Sequence, residues 1–184
     1  MTRIGIIGPT GVGKTTTSAL VARSLGIPLV SLDETRHLFL RETEHDPVYA
    51  DELKRRDFEA VIRYWEKFNL HVVQRTLETY PTGVFDFGAI HSVYDDPSKL
   101  EQVARYMSSL DTVVLLLPVA DLSKSLEILI ERGRGPGLSE AVVDMWRRII
   151  GRFLSNESNH RLSRKVVYTD GLTPAEVCEE ILKR

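Results

Sequence analysis

Residues 8–15 read Gly8-Pro9-Thr10-Gly11-Val12-Gly13-Lys14-Thr15, which matches the pattern G-x-x-x-x-G-K-[ST]. The apolar run Ile4–Ile7 precedes them, and apolar residues at helical spacing follow from Lys14 to Leu25. A strand, a glycine-rich loop and a helix in this order form a cradle of backbone N–H groups at a helix N-terminus, which attracts phosphate. The stretch therefore predicts that the chain binds a nucleoside triphosphate.

The residues of this loop have separate expected roles. Lys14 supplies an ammonium group for the outer phosphates, and the hydroxyl of Thr15 is placed to ligate Mg²⁺. The residues expected to contact the nucleotide are Gly8, Thr10, Gly11, Val12, Gly13, Lys14, Thr15 and Thr16. ATP and Mg²⁺ are the cofactors that this motif predicts.

Length, composition and charge narrow the class of protein. The 184 residues are 42% hydrophobic and 27% charged, as in an ordinary globular protein, so residues 1–184 are predicted to form one domain. A net charge of −2 does not favour a nucleic-acid partner, and the longest apolar run, Val113–Val119, is too short to cross a membrane. The single cysteine, Cys178, and the lack of a recognisable signal segment favour the cytoplasm. We expect a monomer or a homodimer.

Five apolar runs that alternate with helical patterns predict the fold class. The runs are Ile4–Ile7, Pro28–Leu32, Gly83–Phe87, Thr112–Pro118 and Lys165–Tyr168. Several are continuously apolar, which is typical of parallel strands covered on both faces. Right-handed crossovers through the intervening helices then give an α/β fold, a three-layer α/β/α doubly wound five-stranded parallel sheet. Ligands of such sheets bind beyond the carboxyl ends of the strands.

Helix boundaries are marked by capping residues and by periodicity. The apolar spacing that starts at Phe58 predicts one long helix that continues towards Tyr80. Capping residues predict the starts of four later helices, at Asp96, Asp121, Ser139 and Thr173.

Two acidic residues lie at the ends of predicted strands, where ligands should bind. Asp33 follows the second strand, and its carboxylate could accept a proton from a substrate hydroxyl or position that hydroxyl for in-line attack. The alternative role of Asp33 is that of a helix N-cap. Asp86 lies between Phe85 and Phe87, and a buried carboxylate needs a partner such as Thr15 or a Mg²⁺-bound water. We therefore assign Thr15 and Asp86 to the metal, the alternative for Asp86 being bonds to loop amides.

Further candidate substrate residues lie close to both acids. Arg36 could contact an anionic group of the substrate, Gly88 would allow close approach of the substrate to the backbone, and His91 could line the same pocket. The simpler alternative is that Arg36 and His91 are solvated surface residues. The acceptor-binding region is predicted at about residues 33–80.

The segment from Arg132 to Leu138 predicts a short arginine lid. Three glycines and a proline disfavour regular structure there, while the flanking helices are strongly patterned. Arg132 and Arg134 could close over the transferring phosphate, because a guanidinium can bond two phosphate oxygens at once. The alternative is a connection between two helices with surface arginines.

The order of these features resembles shikimate kinase and, more broadly, the small P-loop kinases of the nucleoside monophosphate kinase superfamily. The matching segments are the glycine-rich loop, Asp33, Asp86-Phe87-Gly88, the arginine lid and Val166-Val167-Tyr168-Thr169-Asp170. The resemblance implies a P-loop NTPase fold and ATP- and Mg²⁺-dependent transfer of the γ-phosphate to a hydroxyl of a small molecule. It also implies that Asp33 contacts the substrate and that Arg132 or Arg134 is the lid arginine.

The chain departs from that family at two places in the acceptor region. The second strand ends Ser31-Leu32-Asp33 where shikimate kinases have Asp-x-Asp, and Gly88 is followed by Ala89 and Ile90 rather than by two more glycines. The identity of the acceptor is therefore left open by the sequence.

Other functions use a similar motif and remain as alternatives. The opening Gly8-Pro9-Thr10-Gly11 and the pair Leu32-Asp33 also resemble tRNA prenyltransferases, which normally carry an additional RNA-binding region. A nucleotide-dependent regulator would use the lid as a switch that signals to a partner. A toxin-like kinase that acts on a nucleotide sugar would share the same core machinery.

Overall fold

Five parallel strands form the centre of the structure, a computed structural model that describes residues 1–134 and 137–183. The strands are β1 (Arg3–Ile7), β2 (Leu29–Ser31), β3 (Gly83–Asp86), β4 (Thr112–Leu117) and β5 (Lys165–Tyr168). Their order is β2-β3-β1-β4-β5, and every neighbouring pair is parallel. The predicted sheet is confirmed, although Leu32 starts a helix, and Phe87 and Pro118 follow their strands rather than end them.

Helices flank this sheet, as the doubly wound prediction requires. In the described part of the chain they are α1 (Lys14–Leu25), α2 (Leu32–Leu40), α3 (Pro47–Arg56), α4 (Phe58–Glu66), α5 (Asn69–Thr79), α6 (Pro97–Met107), α7 (Leu122–Gly133), α8 (Glu140–Ser155), α9 (Ser158–Leu162) and α10 (Pro174–Leu182). A 3-10 turn, Ala89–Ser92, follows β3. No helix within residues 1–134 or 137–183 is long and apolar enough to cross a membrane.

The main core lies on both faces of β1, β3 and β4. Ile6, Ile7, Phe85 and Leu115 have no measurable exposure, which explains why these strands are continuously apolar. The central strand β1 pairs with β3 on one side and β4 on the other. The loop after β1 therefore emerges at the middle of the carboxyl edge, between the loops that follow β3 and β4.

The prediction of a single helix from Phe58 towards Tyr80 is wrong. Helix α4 ends at Glu66 and α5 begins at Asn69. The buried side chain of Asn69 donates a hydrogen bond to the carbonyl oxygen of Ile90 at 2.6 Å, and the ring of Phe68 packs edge-on against Tyr64. These tertiary contacts fix the break, and the periodicity of the sequence carries no sign of them.

The predicted starts of the later helices are confirmed. The side chains of Asp96, Asp121 and Thr173 accept hydrogen bonds from the first turns of α6, α7 and α10, and Glu176 completes a capping box with Thr173. Ser139 occupies the N-cap position of α8, but its side chain makes no capping hydrogen bond to the described residues.

Helices α2 to α5 form a helical insertion, residues 32–79, between β2 and β3. It has two small apolar clusters of its own, one formed by Phe39, Leu40 and Val72 and the other by Ala50, Val61 and Tyr64. The insertion covers nearly the whole region predicted to bind the acceptor.

Candidate active site

The glycine-rich loop joins β1 to α1 through two residues in the left-handed region. Gly11 has φ 84° and Gly13 has φ 95°, and Gly13 is the N-cap of α1. Residues with a Cβ rarely adopt this conformation, so the motif glycines set the path of the loop. No side chain of the described residues caps α1. The N–H groups of its first turn are therefore left for an anion.

The ammonium group of Lys14 lies within this loop. Its Nζ donates a hydrogen bond to the carbonyl oxygen of Pro9 at 2.9 Å. Burial lowers the pKa of Lys14 to about 8, although the charges of Asp86 and Asp33 act in the opposite direction. The protein groups around Lys14 thus supply too little negative charge to keep it fully ionised. A phosphate chain would supply the missing negative charge.

Thr15 and Asp86 form the pair that the sequence suggested. The hydroxyl of Thr15 donates to Oδ2 of Asp86 at 2.8 Å, and Asp86 is only 5% exposed. The other oxygen, Oδ1, has no hydrogen-bond partner among the described residues. Burial raises the pKa of Asp86, while the Thr15 hydrogen bond and the charge of Lys14 lower it. An unpartnered buried carboxylate oxygen is costly, so the position suits a ligand.

The donor set at this position fits Mg²⁺. In the described part of the chain no three His, Cys, Asp or Glu residues are grouped as a metal site. A hydroxyl and one carboxylate supply oxygen ligands only, and Mg²⁺ commonly completes its shell with waters and substrate phosphates. Thr15 and the free oxygen of Asp86 are therefore suitable for Mg²⁺ that arrives with a nucleotide.

Asp33 projects from the first turn of α2 at the same edge of the sheet. The N-cap position belongs to Ser31, so the alternative role of Asp33 as an N-cap is wrong. Its carboxylate is 60% exposed. It also lies directly over Gly88, where an added Cβ would be 2.3 Å from Oδ1. The space above Gly88, which the sequence assigned to the substrate, is thus taken by the Asp33 carboxylate.

His91 is buried rather than solvated. Its side chain is 1% exposed, and its Nδ1 lies 4.0 Å from Oδ1 of Asp33 without a hydrogen-bond partner in residues 1–134 and 137–183. Burial lowers the pKa of His91 to about 4, against the effect of the Asp33 charge. His91 is therefore neutral at pH 7 and lies behind Asp33, at the back of the site.

Each of the three candidate arginines contacts a side chain outside the glycine-rich loop. The guanidinium of Arg36 stacks on the ring of Trp65 with 4.4 Å between the Cζ atom and the centroid. Arg132 donates to Asp170 at 3.1 Å, and Arg134 donates to Glu140 at 3.0 Å. Both lid arginines are thus held in ion pairs with exposed carboxylates. Gly135 and Pro136 of the predicted lid lie outside the described residues.

A cavity of about 370 Å³ lies beside this cluster. Its wall includes Thr10 of the glycine-rich loop, and Ala89, Ile90 and Val93 after Gly88. The rest of the wall comes from Asp95 and from α4 and α8, which include Glu59, Ile62, Arg63, Glu66, Arg148, Arg152 and Phe153. A space of this size next to a phosphate-binding loop can hold a small molecule.

Sequence reasoning missed the residues that α4 and α8 contribute to this cavity. Glu59, Arg63 and Glu66 recur at helical spacing, as do Arg148 and Arg152. Each set taken alone is typical of a solvated helix face. The ion pairs Arg148–Glu59 and Arg152–Glu66, which join residues 89 and 86 apart in the chain, show that the two faces meet.

No family model matches the chain. Solved structures do: a shikimate kinase from Aquifex aeolicus is 22% identical, with TM-score 0.61, over 98% of this chain and 94% of that chain. A shikimate kinase from Acinetobacter baumannii in complex with shikimate is 15% identical, with TM-score 0.63, over 99% and 91% of the two chains. Deoxyadenosine kinase from M. mycoides with bound dATP is 18% identical, with TM-score 0.57, over 97% and 96%. These low identities make the likeness one of fold: the chain has the fold of the small P-loop kinases, as its resemblance to shikimate kinase predicted.

Proposed function

We propose that the chain is an ATP- and Mg²⁺-dependent phosphotransferase that moves the γ-phosphate to a hydroxyl of a small molecule. The observation that carries this proposal is the grouping of Lys14, the Thr15–Asp86 pair and Asp33 at the carboxyl edge of the sheet. A cavity that reaches Thr10 of the same loop supports an acceptor next to the phosphates. A nucleotide-dependent switch would not require such a cavity.

Binding of the triphosphate would rest on the loop and on Lys14. The uncapped N–H groups at the start of α1 and the Lys14 ammonium would hold the β- and γ-phosphates. Thr15 and Asp86 would hold Mg²⁺, directly or through water. The bound ion would neutralise charge on the phosphate oxygens.

In the transfer step the acceptor oxygen forms a bond to the γ-phosphorus as the bond from that phosphorus to the β–γ bridging oxygen breaks. Asp33 would orient the acceptor hydroxyl and take up its proton, and the products are a phosphate ester and ADP. Lys14 balances the charge on the transferring group. Arg132 and Arg134 would add to this once they leave Asp170 and Glu140.

The neighbours in fold support a small-molecule acceptor, since they include shikimate kinases and a deoxyadenosine kinase. We place the enzyme in the cytoplasm as a monomer or homodimer, with no nucleic-acid or membrane partner. The single cysteine, which is buried, is compatible with a reducing compartment.

Two substitutions and a transfer screen test this proposal. Lys14→Ala should abolish the thermal stabilisation by Mg²⁺-ATP, whereas Asp33→Asn should retain it and lose about 100-fold or more in transfer rate. The screen follows labelled γ-phosphate onto shikimate, nucleosides, sugars and aminoglycosides. A well-folded protein that takes up no Mg²⁺-ATP, or that only hydrolyses it, would refute the assignment.

A further inference from the structure

The cavity beside the glycine-rich loop is balanced in charge. Among the described residues that line it, three are arginines, Arg63, Arg148 and Arg152, and three are acids, Glu59, Glu66 and Asp95. Their formal charges therefore sum to zero. A site built for an anion would instead be expected to carry an excess of positive charge.

The two arginines of α8 that line the cavity, Arg148 and Arg152, are already bound by carboxylates of the same cavity. Arg148 contacts Oε1 of Glu59 through Nε at 2.7 Å and through Nη2 at 2.6 Å. Arg152 binds both carboxylate oxygens of Glu66 and reaches Oδ2 of Asp95 at 2.6 Å. Arg63 has looser partners, since it lies 4.0 Å from Glu59 and 3.7 Å from Asp57.

To reach Arg148 or Arg152, an anionic acceptor would have to displace Glu59 or Glu66 from these arginines. Glu59 and Glu66 are only 29% and 21% exposed, so each would then be a largely buried carboxylate next to a second negative charge. Leaving a buried charge without its partner is strongly unfavourable. The electrostatic arrangement thus selects against carboxylates and phosphates on the acceptor.

An uncharged acceptor can bind without breaking any of these pairs. A paired carboxylate retains lone pairs that accept hydrogen bonds from hydroxyl groups. The rest of the wall is apolar and includes Ile62, Ile90, Val93 and Phe153, against which a carbon skeleton or a flat ring can pack. The cavity therefore combines polar acceptors with apolar surface.

We propose that the acceptor is an uncharged polyhydroxylated small molecule with an apolar face, and not a carboxylate or a phosphate. This inference rests on the proposed function, because it takes the cavity beside the loop as the acceptor site. It separates this chain from shikimate kinase in the charge of the molecule that it phosphorylates.

Matched pairs of compounds test the inference, because the two members differ chiefly in charge. The pairs are methyl shikimate and shikimate, methyl glucuronate and glucuronate, and adenosine and adenosine monophosphate. Transfer of the γ-phosphate is measured as kcat/KM, and binding to the protein loaded with Mg²⁺-ADP is measured by calorimetry. The uncharged member should be preferred about tenfold or more in every pair that shows activity.

A double variant, Glu59→Gln with Glu66→Gln, checks the cause of this preference. Removal of both carboxylate charges leaves Arg148 and Arg152 available to an anion, so the preference should move about tenfold towards the charged member. The matched control is Glu127→Gln. It alters the ion pair between Glu127 of α7 and Arg147 of α8, and neither residue lines the cavity. The control should keep the wild-type preference. If the double variant does not fold, the wild-type pairs decide alone.

The outcomes separate the inference from the function on which it rests. Transfer that favours the charged members overturns the inference and leaves the kinase assignment standing. Uptake of Mg²⁺-ATP without transfer to, or binding of, any of the six compounds overturns both. Two results together support the inference. The preference for the uncharged members should persist in Glu127→Gln, and it should shift towards the charged members in the double variant.

Discussion

Burial shifts the pKa values of three ionisable side chains of the site in the direction that favours the neutral form. The pKa of Lys14 is lowered to about 8, that of His91 is lowered to about 4, and that of Asp86 is raised. The unliganded site is therefore a poor environment for isolated charges. A phosphate chain with its cation would supply the missing partners to Lys14 and Asp86 together.

The displaced pKa of Lys14 predicts how nucleotide affinity depends on pH. Lys14 loses its proton above about pH 8 in the free protein, whereas bound phosphates would raise its pKa again. The complex then takes up a proton on formation, and affinity for Mg²⁺-ATP should fall by up to about tenfold per pH unit above pH 8. Calorimetry in two buffers of different ionisation enthalpy measures this uptake. Lys14→Arg, whose guanidinium stays protonated over this pH range, should show no such uptake. An affinity that is constant from pH 7 to 10 would contradict the prediction.

The buried histidine predicts a separate dependence of stability on pH. The folded pKa of His91 lies near 4, below the ordinary value of 6.5, so the unfolded chain binds the proton first as pH falls. The charged groups that act on it are Asp33, Arg36 and Lys14. The free energy of unfolding should therefore decrease between pH 6.5 and 4, by up to about 3 kcal/mol.

Urea unfolding of His91→Asn across this pH range measures the effect. The variant should lose much of the slope, while His160→Asn, which alters an exposed histidine, should keep it. Equal slopes in the two variants would show that other groups cause the acid instability.

At the scale of single elements, the site is assembled where strands end. Helix α2 follows β2 directly, and the 3-10 turn follows β3 after Phe87 and Gly88. Parallel pairing of β2 with β3 aligns Ser31 with Asp86, which brings the segments after both strands together. The contact between Asp33 and Gly88 results from this register, because both residues lie two positions beyond the aligned pair.

The contact between Asp33 and Gly88 predicts the effect of replacing Gly88 with alanine. A Cβ at Gly88 would lie 2.3 Å from Oδ1 and 2.6 Å from Oδ2 of Asp33, and the backbone of Gly88 has an ordinary φ of −57°. Gly88→Ala should therefore fold well but displace the exposed carboxylate, with a loss of about tenfold to 100-fold in transfer rate.

Gly151→Ala is the matched control, since a Cβ there would meet no atom of the described residues within 4 Å. It lies within α8 and should gain about 0.5–1 kcal/mol in stability without loss of transfer. Full activity of Gly88→Ala would show that the position of Asp33 does not limit the reaction.

The sequence predicts those elements that local rules determine. Apolar runs placed the five strands within a residue or two. The runs of the inner strands β1, β3 and β4 are mostly apolar because these strands are covered on both faces. Capping side chains placed the starts of α6, α7 and α10. The break between α4 and α5 was not predictable, because the Asn69–Ile90 contact that holds it joins residues 21 apart.

At the scale of the whole molecule, the protein consists of a large core around the sheet and a helical insertion with small clusters. The cluster that joins α3 to α4 has three buried members, Ala50, Val61 and Tyr64, whereas residues of β1, β3 and β4 belong to the main core. Fewer buried apolar contacts allow local opening at a lower free energy. The part of the chain that carries Glu59 and Glu66 is thus the more easily opened one.

Hydrogen exchange measures this difference in opening. Amides of residues 47–66 should exchange at least about tenfold faster than those of residues 112–117 in the free protein, with one cooperative thermal transition for the whole domain. An acceptor that binds the cavity should slow exchange in α4, because Glu59, Ile62 and Glu66 line it. Equal protection of the two segments would mean that the insertion opens only with the sheet.

The distance along the chain between the parts of the site explains how much of it could be predicted from the sequence. A contiguous motif predicts the phosphate-binding loop, because neighbouring residues in the chain form it. The cavity depends on α4 and α8 both lining it, and the pairs Glu59–Arg148 and Glu66–Arg152 join their side chains. Single-sequence patterns contain no information on which of two charged helix faces meet, so this half of the site required the structure.

The junction of β2 and α2 has a consequence for how acceptor choice can diversify. Ser31 ends the strand and Leu32 begins the helix, so no connecting segment absorbs an added or lost residue. One inserted residue ahead of Asp33 would turn its carboxylate by about 100° around the helix axis and remove it from its position over Gly88. Changes in acceptor preference are therefore expected from substitutions in α4 and α8, which line the cavity. Such substitutions would leave the position of the Asp33 carboxylate over Gly88 unchanged.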